Sequence, residues 1–316
     1  MPTRRGFGEG STFIMKRFFI GVVGAIAAAG VASPALAQAG GCTRESLKET
    51  AAQYRMAQET GRLIMHVRPM GEWVNYNENF ELSSMSFGGV IATPQKVDWY
   101  RAFYDTVACS VYIESIITNP EHPYVLATMI NRRGASVNSF DVIVSDQDDW
   151  LFNAEKTLYY AQREDWGVIP EAERNTRDEL RAAADAYLDL FKDKSTVVPW
   201  GTPCARLEGS AYTGKGQPDD TCNAGVPENV DMIDRRYIID PVVGSVAVFL
   251  RMGTNQRPDA HVFRVEKGKI RYVHTVTNCG DQENCGFGPF KDMLERNPNF
   301  YPNLDHVPVV TTPQDQ

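Results

Sequence analysis

The chain has 316 residues, of which 43% are hydrophobic and 23% charged, and its 40 acidic against 32 basic side chains give a net charge of −8. That length suits more than one domain, and the apolar content suits packed cores rather than disorder. The acidic surplus disfavours nucleic acid or an anionic membrane surface as a partner.

From Met15 the pattern predicts a secretory signal: the basic pair Lys16-Arg17, an apolar run over 18–31, and the small-residue site Ala35-Leu36-Ala37. The first 14 residues then read as an upstream extension, and 1–37 as extension plus signal. The apolar run is too short and too rich in alanine for a retained membrane span. A lipoprotein signal at Ala39-Gly40-Gly41-Cys42 is disfavoured, because position −3 lacks the usual leucine. Cleavage after Ala37 leaves 279 residues with 28 basic and 39 acidic side chains, a net charge of −11. The expected product is exported, periplasmic or secreted, with no membrane association after cleavage.

All six cysteines, Cys42, Cys109, Cys204, Cys222, Cys279 and Cys285, follow that segment. An even count in an exported chain predicts disulfides. The expected pairing closes two local loops, Cys204–Cys222 and Cys279–Cys285, and leaves Cys42–Cys109 to anchor the N-terminus. No C-x-x-C spacing points to a zinc ribbon or a thioredoxin-type site.

The segment from Thr43 to Tyr54 recurs from Thr176 to Tyr187 at a constant spacing of 133, repeating Thr, Arg, Leu, Ala and Tyr. Each copy opens a helix, with Thr43 and Thr176 as N-caps. After each helix, strands are predicted over 74–80, 109–118, 124–130 and 137–145, then over 205–212, 236–239, 246–252, 261–265 and 270–277. The helix-then-sheet order predicts α+β modules over 42–152 and 175–279, a linker over 153–174, and a Pro-rich tail over 280–316 with one short helix.

The last predicted hairpin turns at Lys267-Gly268. A two-residue turn in strict register sets Val265 against Ile270, Phe263 against Tyr272 and His261 against His274, all on one face. Three roles are open to the histidine pair: acid and base, metal ligands with Asp259 or Glu208, or structural histidines bonded to backbone carbonyls. The spacing of 133 places Asp141 where His274 stands, either as a pocket carboxylate acting as a base or as the partner of an arginine. Tyr272 is the candidate oxyanion donor, against a plain core role beside Phe263. Phe263, Tyr237, Arg236 and Tyr187 are the candidate substrate contacts. His122 falls in a turn. The loop over 214–222 lacks the strand-to-helix context of a phosphate-binding loop, and no G-x-S-x-G, H-E-x-x-H or G-x-G-x-x-G occurs.

The order of elements resembles the nuclear-transport-factor-2-like (SnoaL-like) cone fold in tandem. The stretches 199–209, 236–240 and 271–275 are similar to a domain family of secreted fungal proteins that has no agreed activity. The resemblance covers residues 42–279. It implies two cone-shaped modules, each with N-terminal helices on a strongly curved antiparallel sheet, and a deep apolar pocket of the kind found in ketosteroid isomerase and scytalone dehydratase. The expected function is a lyase or isomerase without a cofactor or metal. It would abstract a proton from a small apolar or aromatic substrate, with His274 as base, His261 as acid and Tyr272 as oxyanion donor. The alternatives are a binding protein for a hydrophobic ligand and a metal-dependent hydrolase. Oligomeric state is left open.

Overall fold

The computed structural model describes residues 42–311, so the predicted signal over 1–37 lies outside the described residues. The first half runs α1 (Arg44–Thr60), α2 (Leu63–His66), β1 (Met70–Glu78), β2 (Glu81–Leu82), β3 (Trp99–Asp105), β4 (Ser110–Ile117), β5 (Tyr124–Arg133) and β6 (Ser136–Ser145). A connecting helix α3 (Ala154–Ala161) leads to α4 (Arg177–Asp189), β7 (Trp200–Glu208), β8 (Ala211–Tyr212), β9 (Met232–Asp240), β10 (Ser245–Met252), β11 (Arg257–Glu266) and β12 (Lys269–Thr277), and α5 (Phe290–Arg296) follows. The chain is α+β, with two six-stranded sheets of identical order, β2-β1-β6-β5-β4-β3 and β8-β7-β12-β11-β10-β9. Each sheet is mixed rather than antiparallel, because its first long strand pairs parallel with its last, β1 with β6 and β7 with β12.

The two helices that begin the repeat form for the same local reason. Thr43 Oγ1 accepts from Ser46 N at 3.2 Å, and Thr176 Oγ1 accepts from Glu179 N while the Glu179 carboxylate accepts from Thr176 N at 2.7 Å. Both arrangements satisfy helix donors that have no intrahelical acceptor. Leu180, Ala184, Tyr187 and Leu188 then give α4 a buried stripe, as Leu47, Ala51 and Tyr54 do for α1.

Alternation along the strands sorts side chains into three cores. One lies between α1 and the first sheet and holds Tyr54, Leu126, Phe140 and Val142. A second lies between α4 and the second sheet and holds Tyr187, Phe263, Val265 and Val273. The third fills the space between the sheets with Phe103, Tyr112, Met129, Phe249, Val262 and Tyr272. Trp166 joins that central core from the segment over 153–174, which is more than a spacer because it also carries α3.

Ion pairs repeat across the central contact. Arg44 at the start of α1 reaches Asp240 of the second sheet at 2.9 Å, and Arg177 at the start of α4 reaches Asp105 of the first sheet at 2.8 Å. Each aspartate also accepts a main-chain N–H from the opposite sheet, Tyr104 N to Asp240 and Ile239 N to Asp105. The same surface is thus used on both sides, the hallmark of a two-fold contact, here formed within one chain.

Three disulfides join Cys42 to Cys109, Cys204 to Cys222 and Cys279 to Cys285. Among the described residues no helix is long and apolar enough to cross a membrane.

The turn at Lys267-Gly268 forms, with Val265 opposite Ile270. One residue further the register shifts, because Arg271 is inserted as a bulge and Arg264, not Phe263, faces Tyr272. A one-residue slip sends every later side chain to the other face. His261 therefore faces Thr275, and His274 faces Val262. The expected His261–His274 opposition is corrected: the two rings lie on opposite faces of the sheet. The first module carries the same bulge, since Asn131 faces Ser139 while Arg132 faces Val137. These pairs sit 133 residues before their counterparts, and so does Met129–Asp141 relative to Val262–His274.

Candidate functional site

A cavity of about 190 Å³ opens on the helix side of the second sheet. An engineered cavity of ~150 Å³ suffices for benzene, so this space fits a molecule of about one ring. Trp150, Phe191, Val230, Met252 and Phe287 supply apolar wall, and Arg206, Glu208, Arg257, Asp259, His261, Thr275 and Thr277 supply the polar lining. Phe287 lies edge-on to Trp150, with ring centroids 4.9 Å apart.

Strand register builds the polar lining. Glu208 on β7, Thr275 on β12 and His261 on β11 are successive cross-strand partners and form one row. Two residues along, Thr277 and Asp259 form the next row on the same face. Asp259 is fully buried, and its two oxygens are both used: Oδ1 holds His261 Nδ1, and Oδ2 accepts from Thr277 Oγ1 at 2.6 Å. A carboxylate against Nδ1 fixes the proton on that nitrogen and leaves Nε2 as the basic atom. His261 Nε2 has no hydrogen-bond partner among the described residues. Thr275 Oγ1, on a residue 8% exposed, is a buried hydroxyl without a partner. A free imidazole nitrogen and an unpaired hydroxyl on facing strands are the elements of proton transfer beside a developing negative charge.

The remaining groups hold this row in place. Glu208 Oε1 accepts from Arg206, with Nε at 2.8 Å, and from Tyr187 Oη at 3.3 Å. Tyr187, on the buried face of α4, is wholly buried, its ring centroid 5.5 Å from that of His261, and burial raises its phenol pKa far above the usual value. Phe263 packs on Tyr187 with centroids 5.3 Å apart. Both support the imidazole from behind the cavity.

The first module has the same frame and none of this chemistry. Register places Thr128 at the position of His261, Leu126 at Asp259, Val142 at Thr275, Val144 at Thr277 and Glu78 at Glu208. Leu126, Val142 and Val144 pack with Ile91 and Tyr76 in a closed apolar core. Glu78 is consumed by Tyr76 Oη at 2.7 Å, Ser83 Oγ at 3.1 Å and Val90 N at 2.7 Å.

Five expected site residues lie elsewhere. His274, 1% exposed, faces the central core, where Nδ1 meets Glu114 Oε1 at 2.9 Å and Nε2 meets Glu164 Oε2 at 2.6 Å. Burial opposes its charge, but the two carboxylates outweigh burial and push its pKa up to about 9. Burial likewise opposes the charge of Glu164, yet His274, Arg101 and the Trp166 indole hold its pKa below the usual carboxylate range. Protonated and enclosed, His274 is no base for a bound substrate, and with His261 on the other face the two-histidine metal centre does not form. Tyr272 stacks on Trp166 at 5.7 Å in the same core, where burial raises its pKa to about 12, and it does not reach the cavity. Asp141 faces the second module and pairs with Arg236 at 2.9 Å, the arginine-partner alternative rather than a pocket base. Arg236 is thereby placed in the cleft between the sheets, and Tyr237 donates to Asp185 of α4 at 2.6 Å, so neither lines the cavity.

Asp259 and Thr275 are the residues of the site whose roles sequence reasoning missed. Asp-x-His on one strand face was the available signal for Asp259, and the bulge concealed Thr275.

A family model described as a domain of unknown function, DUF8021, matches residues 173–277, which span α4 through the last residue of β12. No curated protein and no solved structure matches the chain. The matched stretch supplies the Asp259–His261 pair, the Thr275 hydroxyl and the Arg206–Glu208 pair that support them.

Proposed function

We propose that the chain is an exported lyase or isomerase that works without a cofactor, its substrate a small, largely apolar or aromatic molecule held in the second module's cavity. The observation that carries this reading is the Asp259–His261 pair, with Nε2 as the uncommitted nitrogen of a cavity-lining ring. His261 Nε2 takes a proton from substrate carbon, and the Asp259 carboxylate stabilises the imidazolium that results. Thr275 Oγ1 donates to the oxygen on which charge develops; one preorganised donor of this kind is worth ~2.7–4 kcal/mol. The imidazolium then returns the proton to another carbon, which isomerises the substrate, or gives it to a leaving group, which completes an elimination. The first module serves as a packed scaffold. Export agrees with three disulfides, which persist in oxidising compartments. The mixed sheets with helices on their outer faces fit tandem cone-shaped modules of the nuclear-transport-factor-2-like kind.

A second reading is ligand capture without turnover, favoured by the aromatic Trp150–Phe287 pair at the cavity. Deuterium incorporation from D2O into one-ring carbonyl compounds, followed by NMR, separates the two. Exchange at the carbon next to the carbonyl that disappears in His261→Gln supports catalysis. Saturable binding of the same compounds with no exchange assigns capture.

A further inference from the structure

The cavity holds two arginines, and one of them is already neutralised. Arg206 donates from Nε to Glu208 at 2.8 Å and from Nη1 to the Gly225 and Cys222 carbonyl oxygens at 2.7 and 3.2 Å, so its charge and its donors are spent. Arg257 has no ion pair among the described residues. Its Nη2 donates to Gln282 Oε1 at 2.6 Å and to the Cys285 carbonyl oxygen at 3.0 Å, both uncharged, and its Nε is buried without a partner. Asp259, two residues along the same strand face, forms no ion pair with it; the carboxylate oxygens hold His261 and Thr277 instead. Arg257 is partly exposed at the cavity, and its guanidinium, with one buried unmet donor and no counter-charge, is a ready partner for an anionic group placed beside it.

We infer that the ligand of this cavity is an oxyanion-bearing molecule of about one ring, its carboxylate or phosphoryl group anchored by Arg257 and its other end against His261 and Thr275. The inference rests on the cavity being the binding site and adds the charge of what it takes. Arg257 and His261 are four residues apart on one face of β11, so their Cα atoms are about 13 Å apart at the usual strand rise. The apolar wall of Phe191, Val230 and Met252 accommodates the ring between those ends. Guanidinium suits this task because its N–H groups match two oxygens of a carboxylate or phosphoryl group at once.

The probes are benzoate, phenylphosphonate and benzyl alcohol, titrated by calorimetry into the disulfide-intact protein and into Arg257→Gln and Arg257→Lys. Charged hydrogen bonds contribute ~1.5–3 kcal/mol, so benzoate or phenylphosphonate is expected to bind at least ten-fold tighter than benzyl alcohol. Arg257→Gln is expected to erase that margin, leave benzyl alcohol unchanged and keep the melting temperature; Arg257→Lys is expected to retain part of it. The tighter of the two anions identifies the group as carboxylate or phosphoryl. Equal binding of all three probes, unchanged in Arg257→Gln, overturns the inference and leaves the cavity as a binding site. No binding of any probe at millimolar concentration overturns both.

Discussion

His274 bridges Glu114 of the first sheet and Glu164 of the connecting segment at 2.9 and 2.6 Å, and places a buried positive charge in the contact between the modules. Tyr212 Oη and Trp166 Nε1 add donors to Glu164 at 3.0 and 2.8 Å, and Arg101 stacks over the Trp166 ring at 4.1 Å. The two modules are therefore joined by charge as well as by apolar packing.

The first prediction is the pH dependence of that joint. The folded pKa of His274 stands at about 9 against an ordinary 6.5, so its contribution is fully present below pH 6.5 and is lost as the pH rises through 9. The shift corresponds to about 3 kcal/mol at 1.36 kcal/mol per pKa unit. Urea unfolding at pH 6 and pH 10 should show a loss of that order in the parent chain. His274→Gln should be less stable at pH 6 and should lack this part of the decline; parallel pH profiles would contradict the assignment.

The second concerns Asp105, which is wholly buried and accepts from both Arg177 nitrogens, from Ile239 N across the contact and from Val107 N and Ala108 N. Removing one partner of a buried charged pair typically costs ~3–5 kcal/mol. Asp105→Ala should lose that much in denaturant unfolding, whereas surface Lys96→Ala should lose less than about 1 kcal/mol.

Thr275 gives the third. Valine matches its shape and removes a hydroxyl that has no partner, so Thr275→Val should leave stability unchanged or slightly raised. Turnover should fall about 10²-fold or more, as for other lost oxyanion donors. A variant with full turnover would remove Thr275 from the mechanism.

The fourth is the Cys204–Cys222 disulfide, which ties down the segment whose carbonyl oxygens at Cys222 and Gly225 hold Arg206. A loop of this length contributes ~3 kcal/mol by chain entropy. Cys204→Ser with Cys222→Ser should lower stability by that order and weaken benzoate binding, read by calorimetry.

Much of this architecture is legible in the amino-acid order. The spacing of 133 holds in space for the helices and for the final hairpin of each module, and the threonine caps do what their positions suggest. The parallel pairs are not legible, because no local pattern tells which strand will adopt the open edge of the last one. The bulge at Arg271 is hidden for a specific reason: Ile270 and Tyr272 are both apolar, one serving each core, so the alternation carries no trace of the slip. Misplacing that residue puts the two histidines together and exchanges their roles. Glu114 was missed because it stands in an apolar strand and its charged partner, His274, lies 160 residues further along the chain, itself 110 residues after Glu164, so that only the fold joins the three.

The most direct test compares the two histidines side by side in the D2O exchange assay and in thermal unfolding. His261→Gln is predicted to lose exchange and keep its melting temperature within a few degrees. His274→Gln is predicted to melt lower by roughly 10 °C, as a broken buried ion pair implies, while the folded protein below that temperature still exchanges. Full exchange in His261→Gln, with loss of exchange in a stably folded His274→Gln, would contradict the account.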